Sequence, residues 1–166
     1  MKRTHNILLA LISSFIVVGT SYAADSKAKE AASNYVAPKM QHQAYGDLKI
    51  VVPLTTDDKA VHTMKLRNIE NTLESGTHWD GHIHNTVVLY SKGVSLLKNP
   101  DAETRQMIDA LKTKGVKFVV CNNSLIEQGI NFHQLYNVTD SDIVPSGFAE
   151  VAFLQTQQNY VVDPVN

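Results

Sequence analysis

The fold is decided by a short apolar run that leads into a polar turn, Val116-Lys117-Phe118-Val119-Val120-Cys121-Asn122-Asn123-Ser124. Its β-branched and aromatic residues favour a strand. Lys112, Lys114 and Gly115 come directly before it, and basic residues followed by glycine are typical of the end of a helix. The pattern therefore predicts a helix, then a core strand, with Cys121 where the strand ends.

Strands alternate with helices along the rest of the chain. The heart of one strand, Thr86-Val87-Val88-Leu89, is uniformly apolar, which is typical of a strand covered on both faces. Because strand–helix alternation implies right-handed crossovers, the sheet is expected to be mainly parallel. The sequence thus predicts a single-domain three-layer α/β/α protein, with strands at 48–52, 83–90, 116–120, 143–144 and 160–162 and helices at 57–76, 99–114 and 148–157.

The amino terminus has the three parts of a cleavable signal peptide. Lys2 and Arg3 give it positive charge, residues 7–18 are apolar, and Ser21 and Ala23 are the small residues that the peptidase requires. The apolar run is shorter than the ~20 residues that a membrane span needs. We therefore expect cleavage after Ala23, a periplasmic protein and no membrane association after cleavage.

The expected organisation is a signal peptide at 1–23, a polar leading arm at 24–46 and the α/β domain at 47–166. Removing Lys2 and Arg3 from 15 basic residues leaves 13 against 16 acidic residues, a net charge near −3 with histidine neutral. The basic residues are also scattered, whereas phosphate binding needs a clustered basic face. A nucleic-acid partner is therefore not expected.

Cys121 is the chain's one cysteine, so it cannot form a disulfide within its own chain. In an open parallel sheet the loops after the strands share one edge, where ligands bind, and this places Cys121 at a candidate site. The residues expected to form that site with it are Lys92, Asn122, Asn123, Ser124, Ser146 and Gly147. Amide donors there would favour a thiolate, and Lys92 would add charge. Alternatively, Cys121 is a small buried hydrophobic residue.

A second candidate site is the histidine group around His82 and His84. Residues two apart in a strand face the same side, so both imidazoles can meet one copper or zinc ion, with His78 or Asp80 as a third ligand. The simpler interpretation is a solvated turn before the second strand, at the opposite edge of the sheet from Cys121. No glycine pattern for a nucleotide is present, so no organic cofactor is expected.

Two stretches carry a resemblance to a known family, residues 114–125 around the thiol and residues 143–152, which read Ile143-Val144-Pro145-Ser146-Gly147-Phe148-Ala149-Glu150-Val151-Ala152. Together with the order of strands and helices, they resemble the DsrE/DsrF-like family, especially its exported members. The resemblance implies a sulfur carrier or sulfurtransferase subunit that accepts sulfur as a persulfide on Cys121. Gly129, eight residues later, matches the family's spacing. The resemblance also implies a homo-oligomer, often a trimer or hexamer.

Two features depart from the family's pattern. The segment Tyr90-Ser91-Lys92-Gly93 stands where relatives have a His-Gly type of turn, and export would separate the protein from cytoplasmic relay partners. Three hypotheses follow: a sulfur carrier that handles a small sulfur species, a non-catalytic module that binds a small anion or metabolite at the same edge, and a metal-handling protein that uses His82 and His84.

Overall fold

The structure is a computed structural model that describes Val36, Lys39 and residues 41–163. The chain divides into two compact units, 1–39 and 40–166. The expected signal peptide and most of the leading arm lie outside the described residues. No helix among the described residues is long and apolar enough to cross a bilayer.

The second unit is built on a five-stranded sheet in which every pair of neighbouring strands is parallel. Its strands are β1 (Gly46–Leu54), β2 (Gly81–Leu89), β3 (Lys117–Cys121), β4 (Ile143–Val144) and β5 (Val161–Val162). The strand order is β4-β3-β2-β1-β5. The parallel sheet predicted from strand–helix alternation is confirmed.

Helices cover both faces of this sheet. They are α1 (Lys59–His78), α2 (Ala102–Thr113), α3 (Asn122–Gln128) and α4 (Gly147–Gln157), and short 3-10 helices lie at Ser91–Leu97, Phe132–Gln134 and Asp140–Asp142. The larger apolar cluster joins β1 and β2 to α1, α2 and α3. The smaller one lies on the other face, where Val51 and Val88 contact Val151 and Leu154 of α4. The three-layer prediction therefore holds.

Two helix boundaries differ from the sequence prediction. Helix α1 does not end at Ser75-Gly76 but continues to His78. Gly76 is not a helix-ending residue here; it lets α1 pack closely on β2, since a Cβ at this position would lie 2.7 Å from side-chain atoms of Ile83. Helix α2 is capped by Asp101 and not by Asn99-Pro100. The Asp101 carboxylate accepts a hydrogen bond from the Thr104 amide at 2.9 Å, as a good N-cap does.

The segment after β2 was expected to be a loop and instead forms the 3-10 helix Ser91–Leu97. Three of its apolar side chains, Val94, Leu96 and Leu97, are buried in the larger cluster. Strand β2 also begins earlier than expected, at Gly81. His82 and His84 therefore lie within the strand and not in a turn before it.

Candidate functional site

Cys121 is the last residue of β3 and also the N-cap of α3. Its backbone is extended, with φ −71° and ψ 116°, so the chain passes from strand to helix without an intervening loop. The side chain is only 4% exposed. The thiol is thus held at the carboxyl end of a central strand, at the edge of the sheet that the sequence predicted.

Ser124 is the buried polar residue next to this thiol in α3. The amide of Ser91 donates a hydrogen bond to its Oγ at 2.7 Å, so the Ser124 hydroxyl proton is free to be donated to Cys121. Gln128 then donates from Nε2 to the Ser91 carbonyl at 2.7 Å. The backbone N–H and C=O of Ser91 are therefore both bound by side chains of α3, and this fixes the orientation of the Ser124 hydroxyl.

Gly147 begins α4 on the other side of the thiol. A Cβ at this position would lie 2.7 Å from the Cβ of Tyr90 and 3.1 Å from the Cβ of Cys121. Ser146 caps the helix by accepting a hydrogen bond from the Ala149 amide at 3.4 Å. Only glycine allows the start of α4 to approach Cys121 this closely.

The pKa of the Cys121 thiol is lowered from its ordinary value, although burial, the largest influence, would raise it. The Ser124 hydroxyl and the amides of Gly147, Ser124 and Asn123 act in the opposite direction, in that order, and together outweigh burial. Cys121 makes no side-chain capping hydrogen bond of standard geometry to α3. The Ser124 hydroxyl and the backbone amides together therefore favour a thiolate over a thiol.

The other predicted site residues are placed less closely. Asn122 and Asn123 are exposed at the start of α3, and the Asn123 amide donates to the Pro145 carbonyl at 3.4 Å. Lys92 is exposed, and its ammonium group lies 3.7 Å from the carboxylate of Asp57. The pKa of the thiol is influenced by burial and by neutral donors, and Lys92 is not among these influences. Its ammonium group pairs with Asp57 instead.

Three further residues on or beside the elements that hold the thiol were not predicted as part of the site. Tyr90 packs against Gly147, and two large apolar side chains on the flanking helices are exposed: Phe148 in α4 at 74% and Ile126 in α3 at 70%. The only signal in the sequence was that Phe148 follows the glycine of a predicted turn.

His82 and His84 are both exposed on one face of β2, near its amino end. Cys121 ends β3 at its carboxyl end, so the two features do not form one site, as expected. Among the described residues, no group of three or more His, Cys, Asp or Glu side chains is arranged to hold a metal ion. The histidine pair stays a prediction.

Comparison with known proteins places the chain in a family. The sequence model of the DsrE/DsrF-like family matches residues 15–164. MTH1491, a protein of unknown function from Methanobacterium thermoautotrophicum, is 26% identical with a TM-score of 0.61, over 70% of this chain and 98% of that one. BT1422, a conserved protein of unknown function from Bacteroides thetaiotaomicron, is 20% identical with a TM-score of 0.49, over 69% of this chain and 91% of that one. No curated protein matches. The protein is a member of the DsrE/DsrF-like family.

Proposed function

We propose that the protein is a periplasmic sulfur carrier that holds sulfur as a persulfide on Cys121. One observation carries the proposal: the pKa of this buried thiol is lowered, not raised, because four donors surround it. A buried cysteine in apolar surroundings would have a raised pKa and be inert. Family membership supports the same chemistry, because DsrE/DsrF-like proteins have a fold of the sulfur-relay type.

The proposed step is a sulfur transfer that needs no oxidant or reductant. The Cys121 thiolate attacks the outer sulfur of a donor persulfide, R–S–SH. A new S–S bond forms, the S–S bond of the donor breaks, and R–S⁻ leaves with the electron pair. Cys121 then carries –S–SH, and delivery to an acceptor thiolate repeats the step in reverse.

The same donors are suited to the product. When the persulfide ionises, its charge lies mainly on the outer sulfur, one bond beyond the Cys121 sulfur to which the Ser124 hydroxyl and the Gly147 amide donate. Preorganised donors of this kind stabilise a developing anion without reorganising. Because the thiol is only 4% exposed, we expect the donor to present a slim terminal sulfur and not a bulky group.

We further propose that the protein is exported and assembles as a homo-oligomer, a trimer or hexamer. Export is supported by the three-part signal pattern of the first 23 residues. Assembly is supported by Phe148 and Ile126, which expose apolar surface on both helices that flank the thiol. Fractionation of the native host and light scattering of the purified protein test these two points.

Intact-mass spectrometry tests the carrier function. The protein, purified without reductant, is measured before and after incubation with thiosulfate or polysulfide. We expect a gain of one sulfur atom or more in the wild type and none in Cys121→Ser. The matched control is Ser141→Ala, which removes an exposed hydroxyl that is not among the donors to the thiol and should leave uptake unchanged. A wild-type thiol that takes up no sulfur and resists alkylation in the folded state would contradict the proposal.

A second function is favoured by the low exposure of the thiol. If Cys121 is simply a packed core residue, the same edge of the sheet binds a small anion or metabolite without chemistry at sulfur. Thermal stabilisation by sulfite or thiosulfate would then survive in Cys121→Ser. Loss of this response on substitution would exclude the binding-module hypothesis.

A further inference from the structure

We propose that a cavity under α1 binds a small molecule with an apolar body and one hydrogen-bond-accepting oxygen, and that the side-chain amide of Asn85 donates to that oxygen. The site is independent of the thiol and of the proposed sulfur chemistry. It lies between α1 and the amino half of strands β1 and β2.

The cavity has the size and lining of a ligand site. Its volume is about 450 Å³, within the range of roughly 300–1,000 Å³ that is typical of small-molecule pockets. Five aliphatic side chains of β1, β2 and α1 form its apolar wall, namely Leu48, Ile50, Val52, Ile69 and Ile83, and polar side chains of α1, among them Asn68, Asn71 and Thr72, form its rim. Such walls suit an aliphatic or aromatic body.

Asn85 is the polar group that the fold leaves unsatisfied in this cavity. It lies in the middle of β2, is only 3% exposed, and lines both this cavity and the neighbouring groove beside His84 and Lys114. Its Nδ2 is covered and makes no hydrogen bond to any residue in the described part of the chain, so the side chain must turn towards the cavity to reach a ligand. Val87, two residues further along the same face, is fully packed in the core. Because a buried amide donor without an acceptor is costly, an apolar residue here would be the more stable choice.

The charges near Asn85 balance each other. Lys65 and Asp163, which also line the cavity, form an ion pair of 2.5 Å with side chains 7% and 12% exposed. Asp163 is fixed in place because its amide donates to the Val51 carbonyl at 2.8 Å. Since the pair leaves no net charge, the site does not favour a multiply charged ligand. The unsatisfied donor of Asn85 instead favours a ligand with an acceptor oxygen.

This chemistry is shared by medium-chain carboxylic acids and their neutral amides. Octanoate and octanamide have the same apolar body and both offer an acceptor oxygen, but they differ in charge. We therefore use both as probes in titrations of the purified protein, followed by two-dimensional ¹H–¹⁵N NMR. We expect saturable shifts of the Asn85 side-chain amide signals and of backbone amides in β1, β2 and α1. Tighter binding of octanoate would identify an acid as the ligand class, and equal binding a neutral carbonyl compound.

Asn85→Leu is the decisive variant, because leucine has a similar shape but no donor. If Asn85 binds the acceptor oxygen, both probes should bind about tenfold more weakly, as expected for the loss of one hydrogen bond. The matched control is Thr86→Val, which removes a buried hydroxyl on the opposite face of the same strand. Binding should be unchanged in that variant.

Ser75→Leu provides a second test that does not alter the core of the sheet. Ser75 is half-buried at the cavity wall in α1, so leucine there would fill part of the space and should also weaken binding. Two results would overturn the proposal. One is that neither probe shifts the cavity signals at millimolar concentration, and the other is that Asn85→Leu binds both probes as tightly as the wild type.

Discussion

Gly147→Ala is the sharpest test of how the thiol site is built. In general, alanine in place of glycine in a helix stabilises a protein by about 0.4–1 kcal/mol, because the unfolded chain loses freedom. Here the new Cβ would lie 2.7 Å from the Cβ of Tyr90 and 3.1 Å from that of Cys121. Ordinary carbon–carbon contacts are about 3.5–4.0 Å, so α4 or its neighbours must move by roughly 1 Å. Overpacking of this kind costs about 1–3 kcal/mol, and we therefore expect a net loss of stability.

Urea unfolding measures the effect, with Gly76→Ala as the matched control. At Gly76 the nearest atoms are also 2.7 Å away, but they are Cδ1 and Cγ1 of Ile83, which can rotate, whereas a Cβ moves only with its backbone. The free energy of unfolding should fall clearly less in the control. The movement at Gly147 should also carry its amide away from the thiol and raise the pKa of Cys121. A Gly147→Ala variant at least as stable as the wild type would refute the reasoning.

Further predictions concern the thiol, the buried ion pair and the exposed apolar surface. Ser124→Ala should raise the pKa of Cys121, seen as a higher pH midpoint of alkylation; an unchanged midpoint would assign the lowering to backbone amides. The pKa of Cys121 is lowered in the folded state, so the wild type should gain stability relative to Cys121→Ala as the pH rises from the folded-state pKa to the ordinary thiol pKa. This gain should be lost as the pH falls through the folded-state pKa. A difference in unfolding free energy that does not depend on pH would contradict this. Lys65→Met leaves the Asp163 carboxylate buried without the ammonium group and should cost about 3–5 kcal/mol in urea unfolding, most of it recovered in the double variant Lys65→Met/Asp163→Asn. If the proposed homo-oligomer forms, Phe148→Glu should shift the mass measured by light scattering towards smaller species, and an unchanged mass would count against a subunit contact at Phe148.

The sheet could be predicted from sequence because its strands are local and strongly patterned. Apolar runs such as 86–89 and 116–120 are buried wherever a parallel sheet forms, and all the strands expected from residue 48 onward are present. The helix ends were less predictable because a glycine can either end a helix or allow a neighbouring element to pack closely against it. Gly76 resembles a C-cap in sequence, but it permits α1 to approach Ile83, and that contact depends on tertiary structure.

The site could be predicted only in part for a similar reason. Topology alone places Cys121 at the carboxyl edge, and backbone amides near Ser124 and Gly147 were expected there, whereas the Ser124 hydroxyl, the largest influence that lowers the pKa of the thiol, was not predicted. The contribution of Ser91 was not predictable, because its amide reaches Ser124 across 33 positions of sequence. The unsatisfied donor of Asn85 was equally hidden, since a polar residue before an apolar run resembles the start of a strand.

The two proposed sites should respond independently to substitution. Leu89 of β2 lies opposite Val120 of β3, so Asn85 and Cys121 are separated by five positions along the strands. At about 3.3 Å per residue this is roughly 16 Å, beyond the ~7–10 Å within which substitutions usually couple. They also lie on different elements: the thiol is held by α3 and α4, whereas the cavity is formed by α1 with β1 and β2. Asn85→Leu should therefore leave sulfur uptake at Cys121 intact, and Cys121→Ser should leave octanoate binding intact. If either substitution abolished both activities, the sheet would have to transmit a structural change between its two ends, because no described side chain belongs to both sites.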